Sequence, residues 1–317
     1  MLTWPIVLQI LWTSLATSST YVLFAVAFAL VLKVNGIFNF AQAGLMTVAF
    51  YAAHAAVEWG GAPGTVALAI ALAATLLTAW GLERFGLAGM RRNRASPMFV
   101  FIFTIVASEF IAYLAMLVFG TWPKTIFPSL FWPVNLVGGI AVSAWDIPAL
   151  ATAGLGVGAL WVYMRYTRQG QFMLAVADNA DLAEFYGIDR ARVFLLTMLI
   201  AAILITAGMF LYGTRAQVQP LTGLELMLFA ALATILGGIG NIWGAAMAAV
   251  VLGLIQNASI LVIPSEWQSF LLYVFLFVAI IFFPEGIKLP QRRRKLERGG
   301  PPADDAAVGT AKPQGSG

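Results

Sequence analysis

Eight long apolar runs follow one another along this chain, at about residues 8–32, 37–57, 63–82, 97–119, 147–164, 193–213, 224–262 and 267–284. A helix needs about 20 mostly apolar residues, at about 1.5 Å rise each, to cross a hydrocarbon layer about 30 Å thick. The runs meet that length. The charges that would coat a soluble surface are missing, since only 10% of the residues are Asp, Glu, Lys or Arg, against about 25% in an ordinary soluble domain. With 61% of its 317 residues hydrophobic, the chain is expected to have lipid as its main solvent. The fold class that follows is all-α, a polytopic membrane helical bundle of about eight apolar spans.

The 224–262 run is too long for one ordinary crossing and is interrupted by Gly237-Gly238-Ile239-Gly240-Asn241. It is read as two short limbs, a broken or re-entrant pair. Loop charges test that parse. With two crossings there, 16 of the 18 Lys and Arg share one side, and only Lys124 and Arg215 lie opposite. The shared side holds Lys33, Arg84, Arg91, Arg92, Arg94, Arg165, Arg168, Arg190, Arg192, Lys288 and the tail cluster from Arg292. The positive-inside rule makes it cytoplasmic, so the N-terminus is expected outside and the C-terminus inside. A single crossing at 224–262 would put the basic tail outside, against the rule.

The N-terminus lacks the basic region of a signal peptide and is read as part of the first span. Residues 1–290 form the membrane domain, and 291–317, basic and then Gly/Pro/Ala-rich, are expected to be a disordered cytoplasmic tail. Trp4, Trp59, Trp122, Trp132 and Trp145 cluster near span ends on the outer side, as interfacial anchors do. Residues 121–146, rich in Pro and Trp, are read as an outer segment containing an interfacial helix. Without cysteine, and with His54 as the one histidine, the chain has no disulfide framework, thiol site or His-cluster metal centre.

Three polar features interrupt the apolar pattern. The first runs from Val34 to Gly44, where Asn35, Asn39 and Gln42 open a span. Amides in hydrocarbon are costly unless partnered, so these should bond between helices or line a wet path. The second is the Gly237–Asn241 break, with Gly238, Gly240 and Asn241 placed either for close packing or beside a cavity. The short matches Gly36-Ile37-x-Asn39 and Gly238-Ile239-x-Asn241 hint at an internal repeat, a device that suits a transporter. The third is the inner segment 165–192. Its centre, Ala175 to Gly187, reads as one amphipathic helix with Asp178 and Asp181 at its start, Gly187 as C-cap, and Ala177, Ala180 or Ala183 with Phe185 turned to a partner. The other reading is a solvated connecting loop.

Glu109 stands in mid-span, where a carboxylate is expensive and either hydrogen-bonded for structure or part of a path. His54 and Glu58 are one helical turn apart and are expected to interact as an i,i+4 pair. There is no phosphate-binding loop, no nucleotide fingerprint and no acid/base pair. The chain is therefore read as a transport subunit rather than an enzyme, with no cofactor of its own.

At these residues the sequence resembles the permease subunits of branched-chain amino acid ABC transporters, of the LivH type, over about residues 15–290. Asn39-Phe40-Ala41-Gln42 is similar to that family's Asn-Phe-Ala-His/Gln signature. Segment 170–188 resembles its coupling loop, and Leu236 through Gly244 its Gly-Gly-x-Gly element. Pro284-Glu285-Gly286 resembles its closing Pro-x-Gly.

The resemblance implies a permease of an ATP-binding-cassette importer that moves a small polar solute. Branched-chain or other hydrophobic amino acids come first, and urea or short-chain amides are the alternative. It implies two cytoplasmic ATP-binding subunits that hold ATP and Mg, a second LivM-like permease and an extracytoplasmic solute-binding protein, in a bacterial or archaeal inner membrane. No nucleic-acid partner is expected. On this reading Ala177, Asp178, Asn179, Ala183 and Gly187 couple to the ATPases, while Asn39, Gln42, Glu109, Gly238, Gly240 and Asn241 belong to the path or its helix break. Two departures stand out. Met173-Leu174 replace an Arg common before the Ala-x-Ala run, and Ala43-Gly44 stand where an acidic residue often follows the signature. The competing functions are a stand-alone secondary carrier or channel, which needs more buried ionisable groups than Glu109, and a lipid-modifying enzyme, for which no catalytic constellation is present.

Overall fold

The computed structural model describes residues 4–127, 134–137 and 140–259, with isolated positions between 264 and 281. The expected last span, the Pro284-Glu285-Gly286 element and the tail lie wholly or largely outside the described residues. The helices are α1 (Trp4–Asn35), α2 (Ala41–Glu58), α3 (Gly64–Gly81), α4 (Ala88–Arg92), α5 (Pro97–Phe119), α6 (Asp146–Tyr166), α7 (Arg168–Asp178), α8 (Ala180–Phe185), α9 (Arg190–Gly213), α10 (Thr222–Leu236) and α11 (Ile242–Ser259). A π-helical turn, Leu82–Leu87, joins α3 to α4.

Six of the described helical stretches are long and apolar enough to cross a membrane, namely those built on α1, α3, α5, α6, α9 and α11. The bundle is thus polytopic and helical, as the apolar runs require. α2 matches α11 in length, but Gln42, Thr47, His54 and Glu58 dilute its apolar character. α10 has 15 residues, about 22 Å of helix, and falls short of a full crossing.

The helices divide by how many neighbours they touch. α1 is the enclosed helix: Leu23 through Val31 have no exposed surface. It packs on α6, α9, α10 and α11. α3 and α5 each bury one narrow stripe of mostly small residues at every fourth position: Ala67, Ala71, Thr75 and Ala79 on α3, and Val100, Thr104, Ser108 and Ala112 on α5. Such stripes let helix backbones approach closely where water provides no hydrophobic drive. The large apolar side chains of α5, Phe110 and Leu117 among them, point away from the bundle.

The 224–262 run breaks as expected, between α10 and α11. A Cβ on Gly237 would stand 2.2 Å from the Gly244 carbonyl carbon, and one on Gly244 would stand 1.9 Å from the Gly237 oxygen. Only glycine at both positions lets the two limbs meet backbone to backbone.

Two expectations are corrected at the end of the bundle opposite the 168–189 segment. Where the 121–146 segment was expected to hold an interfacial helix, β1 (Val134–Val137) pairs antiparallel with β2 (Ile140–Ser143), Val134 opposite Ser143. The Gly138-Gly139 pair between two β-prone runs is a hairpin signature. Gln9 of α1 bonds both the N–H and the carbonyl of Ala141, at 2.6 and 3.1 Å. Asp146 accepts from Trp12 Nε1 at 2.7 Å and from the Ser143 N–H at 2.9 Å. These bonds strap the hairpin to the first helix. His54 does not pair with Glu58; its Nδ1 donates to the Thr125 carbonyl at 2.7 Å, because a buried ring nitrogen gains more from a fixed backbone acceptor than from an exposed carboxylate.

Candidate functional site

Two polar turns lie within the bundle, and one charged hairpin closes its basic end. The first turn joins α1 to α2. Gly36 takes φ +69°, and Asn39 caps the new helix, its Oδ1 accepting from the Ala41 N–H at 3.1 Å. Asn39 Nδ2 reaches Met198 Sδ at 3.1 Å, and Thr104 Oγ1 accepts from the Phe40 N–H at 3.2 Å. Met198 and Thr104 stand about 10 Å along α9 and α5 from the starts of those helices, so the turn sits within the bundle rather than at its end. Asn39 is fully buried and both its amide atoms are engaged. Gln42 is also fully buried, yet neither amide atom has a partner, and the amide atoms of Asn35, 9% exposed, are likewise unpartnered.

The second turn is the α10–α11 break. Gly238 and Gly240 take φ +94° and +85°, and Asn241 Oδ1 accepts from the Gly244 N–H at 3.1 Å. Thr234, one turn before the break, reaches the Ala25 carbonyl at 3.4 Å, which places the break at the level of the buried centre of α1. Both Gly-Ile-x-Asn matches set a left-handed glycine three residues before an asparagine whose side chain accepts from the start of the next helix, and the second adds Gly240, also left-handed. Glu109 is half-buried on the flank of α5, beside the buried Ser108, and has no hydrogen-bond or ion-pair partner among the described residues. The structure gathers Asn39, Gln42 and Ser108 around the packed start of α2, where a Cβ on Gly44 would meet the Ser108 backbone at 3.3 Å. Among the described residues no hydrogen bond joins them to Asn241.

The hairpin 168–189 differs from the single helix expected for 175–187. Asn179 is extended, with φ −157° and ψ 102°, and its side chain accepts from the Leu182 N–H at 2.9 Å. An asparagine that caps so well ends one helix and starts another. Asp178 consequently closes α7 instead of opening a helix, and the dipole argument holds for Asp181 alone. Gly187, at φ +83°, ends α8 in a Schellman motif, its N–H bonded to the Glu184 carbonyl at 2.9 Å and that of Ile188 to Ala183 at 3.1 Å. Arg190 then clamps α8 to the start of α9, with bonds of 2.5 Å to Asp181 and 3.1 Å to Glu184.

The five expected coupling residues divide. Asp178, Asn179 and Gly187 are exposed, Ala177 is half-buried, and Ala183 is buried against the bundle. The outward face consists instead of Leu182, Phe185 and Tyr186, exposed by 53%, 85% and 76%. Phe185 was anticipated there, while Leu182 and Tyr186 were not, although their i, i+3, i+4 spacing on a capped helix is the signal. Acidic and basic side chains surround this apolar tip, so lipid is not its natural cover. Among the described residues no group of three metal-ligating side chains exists.

Comparison with known proteins agrees with this architecture. Residues 10–280 match the model of a family described as branched-chain amino acid transport system / permease component. Over 294 residues the chain is 26% identical to the high-affinity branched-chain amino acid transport system permease protein LivH of Escherichia coli (strain K12), covering 88% of this chain and 94% of that one. It is 27% identical to LivH of Salmonella typhimurium over the same shares. It is 26% identical to the permease protein BraD of Pseudomonas aeruginosa, over 88% of this chain and 95% of that one. Among solved structures, PsaBC from Streptococcus pneumoniae in complex with Fab is similar in fold, with TM-score 0.50 and 14% identity over 86% of this chain and 91% of that one.

Proposed function

The chain belongs to the permease component family of branched-chain amino acid transport systems, and from that membership we propose that it is the membrane-spanning permease of an ATP-driven importer. It has no nucleotide-binding motif of its own, so the drive comes from partner chains, two cytoplasmic ATP-binding subunits that dock on α7 and α8. The observation that carries this reading is the tip formed by Leu182, Phe185 and Tyr186, a cluster of exposed apolar side chains on a helix clamped by Arg190 and closed by Gly187. A rigid, capped lever with an apolar end suits the transmission of a push into α9. The basic end of the bundle faces the cytoplasm and the β-hairpin faces outside. A second homologous permease completes the membrane unit, and a solute-binding protein delivers cargo to the outer face.

The solute favoured by the relatives' names is a branched-chain or other hydrophobic amino acid. Urea or a short-chain amide is the second reading, favoured by Ala43-Gly44 standing where an acidic residue often follows the Asn-Phe-Ala-Gln signature. Calorimetry on the cognate binding protein with leucine, urea and acetamide separates the two. For the coupling role, Phe185→Ala with Tyr186→Ala should leave the bundle folded and lower both ATPase copurification and ATP-driven uptake about tenfold, the loss expected from removing central aromatic anchors. Undiminished uptake by that variant contradicts the proposal.

A further inference from the structure

Among the described residues one ion pair has a buried member, and it sits where the π-helical turn runs into α4. Glu83, 2% exposed, accepts from Arg91. The same guanidinium lies 4.7 Å over the ring of Phe194, a buried residue near the start of α9. The π-helical turn makes the pair possible. Eight residues of α-helix would leave positions 83 and 91 about 80° apart around the axis. A π turn takes up one residue more than an α turn. The eight residues therefore wind about as far as seven, which brings the two positions within about 20° of one face.

As a stabiliser the pair is poor. Glu83 Oε2 and Arg91 Nη1 are buried without partners, so one hydrogen bond and one ring contact must offset the desolvation of the carboxylate. Its position gives it another use. Phe194 follows Arg190 by four residues and so stands one turn along on the same face of α9. Arg190 is the residue that holds α8, through Asp181 and Glu184. A line of directional contacts thus runs from the exposed tip of α8, through Arg190 and one turn of α9, to Phe194, Arg91 and the π-helical turn that continues α3. Beside this line a cleft of about 540 Å³, bordered by Arg91, Glu184, Gly187, Arg190 and Phe194, leaves the α8–α9 turn and the basic turn incompletely packed on each other. Packed helices slide by about 1–2 Å in conformational transitions, and the Arg91 contacts tie one register of α9 to α3. We propose that Arg91 is a positioning residue for energy coupling, held by Glu83 and seated on Phe194 so that displacement of the α7–α8 hairpin reaches α3 as well as α9. The proposal rests on the reading of that hairpin as the ATPase dock.

The test uses the full-length chain assembled with its ATP-binding partners and binding protein in proteoliposomes. Radiolabelled leucine uptake, ATP hydrolysis and thermal unfolding are read for each variant. Glu83→Leu with Arg91→Met replaces the pair by apolar side chains of similar size, which should leave the unfolding temperature unchanged or raised. Leucine taken up per ATP hydrolysed should nevertheless fall about tenfold, within the range of an ordinary coupling between sites, with the half-saturating leucine concentration unchanged. Phe194→Leu, which keeps an apolar side chain and removes the ring, should act in the same direction more weakly. Arg91→Lys keeps a cation for Glu83 and for the ring and should retain most of the wild-type ratio. Wild-type ratios in the paired variant and in Phe194→Leu overturn the proposal. So does a loss that tracks a fall in unfolding temperature, since the contact would then be structural only. Phe185→Ala with Tyr186→Ala separates these outcomes from a failure of the dock itself. If that variant takes up leucine normally, the dock reading is wrong and the Arg91 link falls with it. If it loses uptake while the paired variant keeps it, the Arg91 link alone is wrong.

Discussion

The α1–α2 turn and the α10–α11 break carry the same four-residue pattern, Gly-Ile-x-Asn, and each opens on a left-handed glycine, yet they meet different surroundings. Around the first, Met198 and Thr104 close in, the Phe38 and Phe40 rings each lie about 6 Å from that of Phe28, and Asn39 is fully buried. The second presents Ile239, 44% exposed, beside half-buried Gly238, Gly240 and Asn241. Local sequence sets the bend; neighbouring helices decide whether the bend is a sealed joint or an open edge. An irregular backbone at membrane depth is tolerated only where protein covers it or water reaches it, so the open edge is where a second permease or an aqueous path is expected.

The largest effect should come from filling the glycine contact that holds the open break together. Gly244→Val places side-chain atoms inside the Gly237 backbone and should cost well over about 3 kcal/mol, read as loss of folded protein on size exclusion; a folded Gly244→Val protein would show that the limbs do not touch. Next in size is the asymmetry between the two caps. Asn39→Ala removes a cap and a buried bond to Met198 and should cost about 2 kcal/mol, against about 1 kcal/mol for Asn241→Ala. Thermal unfolding in detergent measures both, and equal losses would erase the contrast between sealed and open. The smallest change in stability belongs to Gln42→Leu. Both Gln42 amide atoms are buried without partners, so an apolar side chain of similar size should be neutral within about 0.5 kcal/mol or stabilising. Uptake should nevertheless fall if the amide meets the solute, and a fall in stability without a fall in uptake would assign Gln42 a purely structural role.

Much of this arrangement was legible in the sequence because lipid imposes strict lengths. Run length located the described spans, and the glycine cluster at 237–240 located the break. What stayed hidden depends on contacts between distant segments. Nothing in α1 taken alone distinguishes an enclosed helix from an ordinary lipid-facing one, although Leu23 through Val31 prove fully buried. The pairing of His54 with Thr125 and of Gln9 with Ala141 joins residues far apart in the chain, which spacing rules do not reach. The split at Asn179 was readable, since asparagine favours caps over helix interiors, but the alanine-rich run on either side outweighed it. At the candidate site the residue types were visible, while their states were not: Asn39 satisfied, Gln42 unsatisfied and Ala183 buried follow from packing.

Coupling to an ATP-driven partner requires the α7–α8 hairpin to lie on the cytoplasmic side. The chain contains no cysteine, so single cysteines introduced as Phe185→Cys and Trp122→Cys, at exposed positions on opposite ends of the bundle, report sidedness without background. With a membrane-impermeant maleimide on intact cells, Trp122→Cys should label and Phe185→Cys should not, and the pattern should invert in inside-out vesicles. Labelling of Phe185→Cys from outside intact cells would contradict the account.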